Sequence, residues 1–223
     1  MAKGNRILVW DGALRLFHWS TVLLVVAMWW SAENHMMDWH RRMGMILVGL
    51  VTFRLAWGLL GPRTARFTSW QLGPGAMLGY LKSLKHGVHK PSFGHNPIGT
   101  LSVIAMLAAL CVQLGTGLFA VDVDGLESGP LSTLVSFEAG RQAAEIHEIS
   151  FNALVALIGL HVAAVAVYLI FFKDNLVRPM VTGRRASEDF GDVSLSDAKL
   201  SWLRLTIAVA VALAAMWGIS NAG

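Results

Sequence analysis

Residues 145–172 read EIHEISFNALVALIGLHVAAVAVYLIFF, and this stretch decides the fold class. It lies in a helix predicted at about Ala143–Phe172, which exceeds the roughly 20 mostly apolar residues that span a bilayer. The stretch also contains His147 and His161, 14 residues apart. An α-helix has about 3.6 residues per turn and rises about 1.5 Å per residue, so both imidazoles share one face, roughly 21 Å apart along the axis.

Other apolar segments of similar length occur on both sides of this stretch. Of the 223 residues, 55% are hydrophobic and 14% are charged, whereas roughly 25% are charged in a typical soluble domain. Asn96 and Pro97 suit the N-cap and first position of one predicted helix, and a short interfacial helix is predicted at about 77–85. The sequence therefore predicts an all-α integral membrane helix bundle. Its other spanning helices are expected at about Leu14–Ser31, Trp39–Leu60, Ile98–Phe119 and Trp202–Ile219.

The charges of the loops predict the orientation. Residues 61–95 carry five lysines and arginines and no acid, whereas residues 120–145 carry five acids and one arginine. Because cytoplasmic loops are rich in lysine and arginine, the basic loop and the N-terminus are expected in the cytoplasm. Five helices then leave the C-terminus on the outer side of the membrane.

Composition also excludes several classes of site. Cys111 is the one cysteine of the chain, so a cysteine-based zinc or iron–sulfur site is excluded, as is covalent haem attachment through Cys-x-x-Cys-His. The formal net charge of +4 resides in loops between apolar runs. It therefore indicates membrane topology rather than a nucleic-acid partner.

Four histidines fall in or at the ends of predicted spanning helices, where ionisable groups indicate function. With the predicted orientation, His18 and His161 lie toward the cytoplasm, whereas His40 and His147 lie toward the outer side. Two imidazoles at one depth can fill both axial positions of a haem iron. The sequence thus predicts two b-type haems, paired as His18/His161 and His40/His147. Because bis-ligated iron has no open position for oxygen, electron transfer is the expected role.

Other interpretations of these histidines stay open. A histidine at a helix end is often an interfacial residue, which applies to His18 and His40 taken singly. Zinc or carboxylate-bound iron would need three or four ligands at one depth. The loop residues His35, His86, His89 and His95 are expected to be solvated, and His35 is the one rival to His40 as a ligand.

Two arginines are candidate partners for the carboxylates of a haem. Arg54 lies 14 residues after His40 on the same predicted helix face, and a buried arginine needs an anionic partner. A propionate of the cytoplasmic-side haem would serve. Arg15, close to His18, could do the same, although a simple topology-determining charge is slightly favoured for Arg15.

Several short pieces resemble the bacterial cytochrome b561 family, which includes the b-type cytochrome subunits of nickel–iron hydrogenases. The resemblance covers roughly residues 7–183, and its four-histidine pattern is more specific than any single piece. The matching pieces are VWDGALRLFHW (9–19), WHRRMG (39–44), FRLAWGLLGPRTARF (53–67), GHNPIG (94–99), GTGLF (115–119), EIHE (145–148) and ALIGLHV (156–162).

The resemblance implies a four-helix core with two haem b groups and His18, His40, His147 and His161 as axial ligands. It also implies electron exchange with a quinone or a partner redox protein. The expected location is then the bacterial inner membrane, with the N-terminus in the cytoplasm and the C-terminus in the periplasm. The chain would then divide into a di-haem core (1–183), a polar cytoplasmic connection (184–201) and an additional C-terminal spanning helix (202–223).

The leading functional hypothesis is an electron-transfer subunit of a respiratory oxidoreductase, passing electrons between a quinone and a periplasmic partner. That partner would be a c-type cytochrome or a dehydrogenase or hydrogenase subunit, and an oligomer is possible. The alternative is a self-contained, quinone-linked oxidoreductase acting on a small substrate such as superoxide, so enzymatic activity stays undecided. A haem-free transporter is the third hypothesis, although no helix is interrupted as in many transporters.

Overall fold

Five long apolar helices dominate the computed structural model, which describes residues 6–87, 89, 91–186, 190 and 201–222. Each is long and apolar enough to cross a membrane. The spanning helices are α1 (Gly12–Glu33), α2 (Met37–Leu60), α4 (Pro97–Phe119), α5 (Phe137–Ile170) and α7 (Trp202–Ser220), and the shorter elements are β1 (Arg6–Leu8), α3 (Pro74–Lys85), α6 (Val177–Thr182) and β2 (Arg184–Ala186). The predicted membrane helix bundle is confirmed.

Side-chain caps determine where several helices begin. The Asn96 side chain accepts a hydrogen bond from the backbone amide of Gly99 at 2.7 Å, and Pro97 occupies the first turn, as predicted. Ser136 caps α5 in the same way through Ala139. The fourth spanning helix therefore starts six residues before the predicted Ala143, because a serine cap is available upstream of the apolar run.

The spanning helices pack as two neighbouring pairs with one addition. α1 packs against α2, α4 packs against α5, and α7 lies along α2. Gly49 of α2 faces the thioether of Met216, and Ala208 of α7 is fully buried. Small residues at this contact allow close approach, as is usual between membrane helices. The fifth spanning helix is thus an integral part of the bundle.

Many apolar side chains of the spanning helices point away from the protein. Leu16, Leu160 and Leu213 are 69%, 68% and 58% exposed. In water, so large an apolar surface would be unfavourable. In a bilayer these side chains contact lipid, which agrees with the low share of charged residues.

A small strand pair joins the two chain segments at one end of the bundle. β1, which precedes α1, is antiparallel to β2, which follows α5, and Ile7 pairs with Arg185. The amides of Val9 and Trp10 donate to the carbonyl of Gly183, whose φ of +79° favours glycine. Of the polar connection predicted at 184–201, residues 187–189 and 191–200 lie outside the described residues.

At the other end, charged loop residues meet. Arg41 near the start of α2 pairs with Asp38 at 2.6 Å and with Glu127 of the acidic loop. The strand pair places the beginning of α1 and the end of α5 at one end of the bundle. His40 and the acidic loop lie at the other end.

Candidate functional site

His40 of α2 and His147 of α5 face each other near the acidic end of the bundle. Their ring centroids lie 6.2 Å apart, and the ring planes are 79° from parallel. These two side chains are 107 residues apart in sequence. The structure thus brings together the pair that helix depth suggested. His35, the rival ligand, is exposed.

Backbone carbonyls hold both imidazoles through Nδ1. His40 Nδ1 donates to the carbonyl of Met28 at 3.0 Å, and His147 Nδ1 donates to the carbonyl of Gln113 at 2.8 Å. Metal-binding histidines are commonly oriented in this way, since the bond fixes the tautomer and leaves Nε2 with its lone pair. At His147 the amide nitrogen of the Gln113 side chain lies 3.1 Å from this Nε2 atom. The amide oxygen of Gln113 accepts a hydrogen bond from Ser150.

Gly117 of α4 provides the space for the His147 ring. A Cβ atom at Gly117 would lie 2.7 Å from Cε1 and 2.9 Å from Nδ1 of His147. Any side chain here would displace the imidazole. Gly117 belongs to the GTGLF piece at 115–119, which in the sequence alone indicates only the family resemblance. The glycine-rich pattern was a signal for this contact, although it did not reveal the contacting residue.

His18 of α1 and His161 of α5 lie at the opposite depth, close enough to interact electrostatically. The Nδ1 atom of His18 is buried and has no hydrogen-bond partner among the described residues. Arg54 and His95 belong to the same surroundings, because His95 interacts electrostatically with Arg54, His161 and His18. The two histidine pairs thus occupy two separate levels of the bundle.

Arg54 is a buried cation beside this second pair. It is 2% exposed, and its guanidinium lies over the rings of Phe67 and Trp70, at 4.9 and 6.0 Å from their centroids. Neither Nη1 nor Nη2 has a hydrogen-bond partner within the described part of the chain. Asp11 offers a long-range attraction, but its oxygens accept from the Leu14 amide and the Trp57 indole instead.

His95 differs from the expected solvated loop histidine. Its ring packs against Trp10 and Trp70, with centroids 4.7 and 6.3 Å away, and its Nδ1 is buried without a partner in the described residues. Burial, together with the charge of Arg54, lowers the pKa of His95 to about 3. The expectation was wrong because the loop folds back over α2. Its position directly before the Asn96 cap was the available signal.

His89 was also expected to be solvated, and this too is wrong. Its side chain is 8% exposed, and Nε2 donates to Asp174 at 2.9 Å. Tyr80 contacts Tyr168 at 2.8 Å beside it, and burial together with this hydrogen bond raises the pKa of Tyr80. The network joins α3 to the end of α5. His86 is exposed, as predicted.

Arg15 has a protein partner. Its Nη1 donates to the carbonyl of Val181 in α6. The side chain therefore helps to attach the segment after α5 to the start of α1. Its assignment to a haem propionate stays a prediction.

Residues 9–183 match the family described as prokaryotic cytochrome b561. The chain belongs to this family. A similar curated protein is the probable Ni/Fe-hydrogenase B-type cytochrome subunit of Azotobacter chroococcum mcd 1, which is 24% identical over 221 residues, covering 84% of this chain and 91% of that protein. The chain is thus a multi-pass membrane b-type cytochrome, and haem b and electron transport come with the family.

The described residues contain no group of three or more His, Cys, Asp or Glu side chains arranged to hold a metal ion. A tetrahedral zinc site or a carboxylate-bound iron site needs at least three such ligands. The alternative metal sites considered from the sequence therefore have no support in this part of the chain.

Proposed function

We propose that this cytochrome holds two haem b groups, one between His40 and His147 and one between His18 and His161. The separation of the first pair supports this most directly. If both imidazoles bound one iron at about 2 Å, their ring centroids would lie roughly 6 Å apart. His40 and His147 have 6.2 Å, and backbone carbonyls orient both rings.

The surroundings of the second pair support an anionic cofactor group at that level. Arg54 has two buried nitrogens without partners, and the Trp70 indole and the His95 Nδ1 are likewise buried and unpartnered among the described residues. Unsatisfied buried donors are destabilising. A haem propionate would accept hydrogen bonds from Arg54 and Trp70, so these residues would hold the cofactor of the His18/His161 pair.

With two imidazoles bound to its iron, each haem would supply one-electron transfer and would leave no open iron position for a substrate. The protein residues have three tasks in this function. The histidines would bind and orient the haems, Arg54 would balance the negative charge of a propionate, and the lipid-facing helices would exclude water. The two levels, one toward each end of the bundle, would let electrons cross the membrane.

We further propose that electrons pass between a quinone and a periplasmic redox partner. The relative in Azotobacter chroococcum mcd 1 carries the name of a hydrogenase subunit, which favours a hydrogenase as that partner over a c-type cytochrome. The acidic loop at the His40 end, with Glu127 bound to Arg41, would lie in the periplasm. It would attract a basic partner surface and repel superoxide, an anion.

The haem stoichiometry tests the proposal. A pyridine haemochrome measurement on the purified protein is expected to give two haem b per chain. His161→Ala and His147→Ala should each lower this to about one, and the two variants should keep different haems with distinct potentials. A single haem in the wild type, or an unchanged content in either variant, contradicts the assignment. Superoxide-driven quinone reduction without a partner would instead favour a self-contained oxidoreductase.

A further inference from the structure

A basic cavity lies where α5 leaves the apolar part of the bundle. Its volume is about 400 Å³, and its lining includes five lysine and arginine side chains: Arg6, Lys173, Arg178, Arg184 and Arg185. It is built from both strands and from the segment after α5. The cavity is distinct from both histidine levels.

Among the described residues, Asp174 is the one acid that lines this cavity, and its carboxylate is already hydrogen-bonded. Asp174 accepts hydrogen bonds from His89 at 2.9 Å and from Arg185 at 2.5 Å. Its carboxylate therefore cannot neutralise the remaining cations. Arg178 and Arg184 are exposed, and their side chains have no acidic partner in the described ranges. The cavity thus concentrates positive charge that an anion would balance.

Lys173 adds a second observation. It has a φ of +56°, a left-handed conformation that glycine adopts more easily. The turn it makes lets the amide of Asp174 donate to the carbonyl of Tyr168, which closes the end of α5. A lysine at a position that favours glycine places one more cation in the cavity, and strained residues of this kind often mark functional sites.

The apolar residues next to the cavity indicate which anion it takes. Leu169, Ile170 and Phe171 at the end of α5 are 43%, 56% and 74% exposed. Acyl chains could lie along this surface while a headgroup reaches the cations beyond it. Basic pockets at the cytoplasmic end of membrane helices bind anionic lipid headgroups, and the basic loops suggest that this is the cytoplasmic end.

We propose that this cavity binds the phosphate headgroup of an anionic phospholipid. The site is independent of the haem assignment, because none of its residues belongs to either histidine pair. A bound lipid would bridge α5, α6 and the strand pair. It would thereby fix the segment that connects the end of α5 to the start of α1.

The test uses the full holoprotein in nanodiscs, with lipid retention measured by native mass spectrometry. Wild type is expected to retain phosphatidylglycerol in preference to phosphatidylcholine. The double variant Arg178→Gln/Arg184→Gln should lower this preference by about tenfold. The matched control Lys82→Gln/Lys85→Gln removes the same charge from α3, on the same side and outside the cavity, and should keep the preference.

Lys173→Gly separates binding from folding. Glycine relieves the left-handed strain, so the melting temperature should stay equal or rise while the phosphatidylglycerol preference falls. Equal preference for both lipids in wild type, or equal losses in the two double variants, overturns the proposal. Inorganic phosphate should not displace the lipid at millimolar concentration, and displacement would show a free-phosphate site instead.

Discussion

At the scale of single residues, the positions of His147 and Arg54 depend on neighbouring glycines and backbone groups that bind no cofactor themselves. His147 fits because Gly117 lacks a side chain, and its tautomer follows from the Gln113 carbonyl. Arg54 lies beside Phe67 because Gly58 of α2 leaves space for that ring. These contacts set the geometry and charge at each histidine level, and each can be altered by one substitution.

Gly117→Ala should disable the His40/His147 level. The added methyl group would lie 2.7 Å from the imidazole, so the ring must move away from its position opposite His40. Haem content is expected to fall toward half that of wild type, as measured by pyridine haemochrome. Gly115→Ala is the matched control, because a Cβ there has no neighbour within 4 Å. Normal haem content in both variants would refute this role.

Arg54→Gln should lower the midpoint potential of the haem at the His18/His161 level. Removing a buried positive charge favours the oxidised iron, which carries one more positive charge than the reduced iron. We expect a decrease of roughly 60 mV or more, equivalent to about a tenfold change in a one-electron equilibrium. Redox titration of both haems measures it. Arg42 is exposed, so Arg42→Gln removes the same charge and should leave this potential unchanged. Arg54→Lys retains the positive charge and should keep the potential close to that of wild type.

At the scale of elements, the contact between α2 and α7 shows that the fifth spanning helix is part of the bundle. Its small residues Ala208 and Ala212 are buried, and Met216 fills the space above Gly49. Association of membrane helices depends on such close packing, because lipid provides no hydrophobic drive between them. This contact can be tested without touching the histidines.

Gly49→Ala should destabilise the α2–α7 contact by about 1 kcal/mol, since overpacking forces Met216 from its position. The melting temperature of the detergent-solubilised holoprotein measures the effect. Adding Met216→Ala should reduce the loss of stability caused by Gly49→Ala, because substitutions of two contacting residues do not have additive effects. Gly159→Ala, where a Cβ meets nothing within 4 Å, is the control. Additive effects of the two substitutions would argue against this contact.

At the scale of the whole molecule, a neutral buried histidine makes stability depend on pH. The pKa of His95 is about 3 in the folded protein, against 6.5 for an ordinary histidine. The unfolded chain therefore binds one more proton between these two values. His95 is expected to reduce stability as pH falls below about 6.5, with a slope of about 1.4 kcal/mol per pH unit until about pH 3.

His95→Gln should remove this contribution. Between pH 7 and pH 5 its melting temperature should fall less than that of wild type, measured on the holoprotein in one detergent. His86→Gln is the control, because His86 is exposed and should follow the wild-type profile. Parallel profiles for wild type and His95→Gln would show that folding does not lower the pKa of His95, which contradicts this prediction.

The membrane class, the five spanning helices, the Asn96 cap and the family could all be predicted from the amino-acid sequence. Those features depend on local composition, hydrophobic length and motifs, which the chain displays directly. The sequence also predicts that His40 meets His147, because the rise per residue of a helix and the charges of the loops constrain the depth of each histidine. Whether these histidines bind haem stays a prediction.

The side chains that surround each histidine level could not be predicted and became known from the folded structure. Gly117 and His147 belong to different helices, His95 reaches Trp10 and Trp70 through a loop that folds back, and Arg15 binds a carbonyl 166 residues away. The basic cavity forms only when Arg6–Leu8 and Arg184–Ala186 pair as β1 and β2. Such contacts join distant parts of the chain, and local patterns constrain the depth of a residue in the membrane but not which individual side chains it contacts.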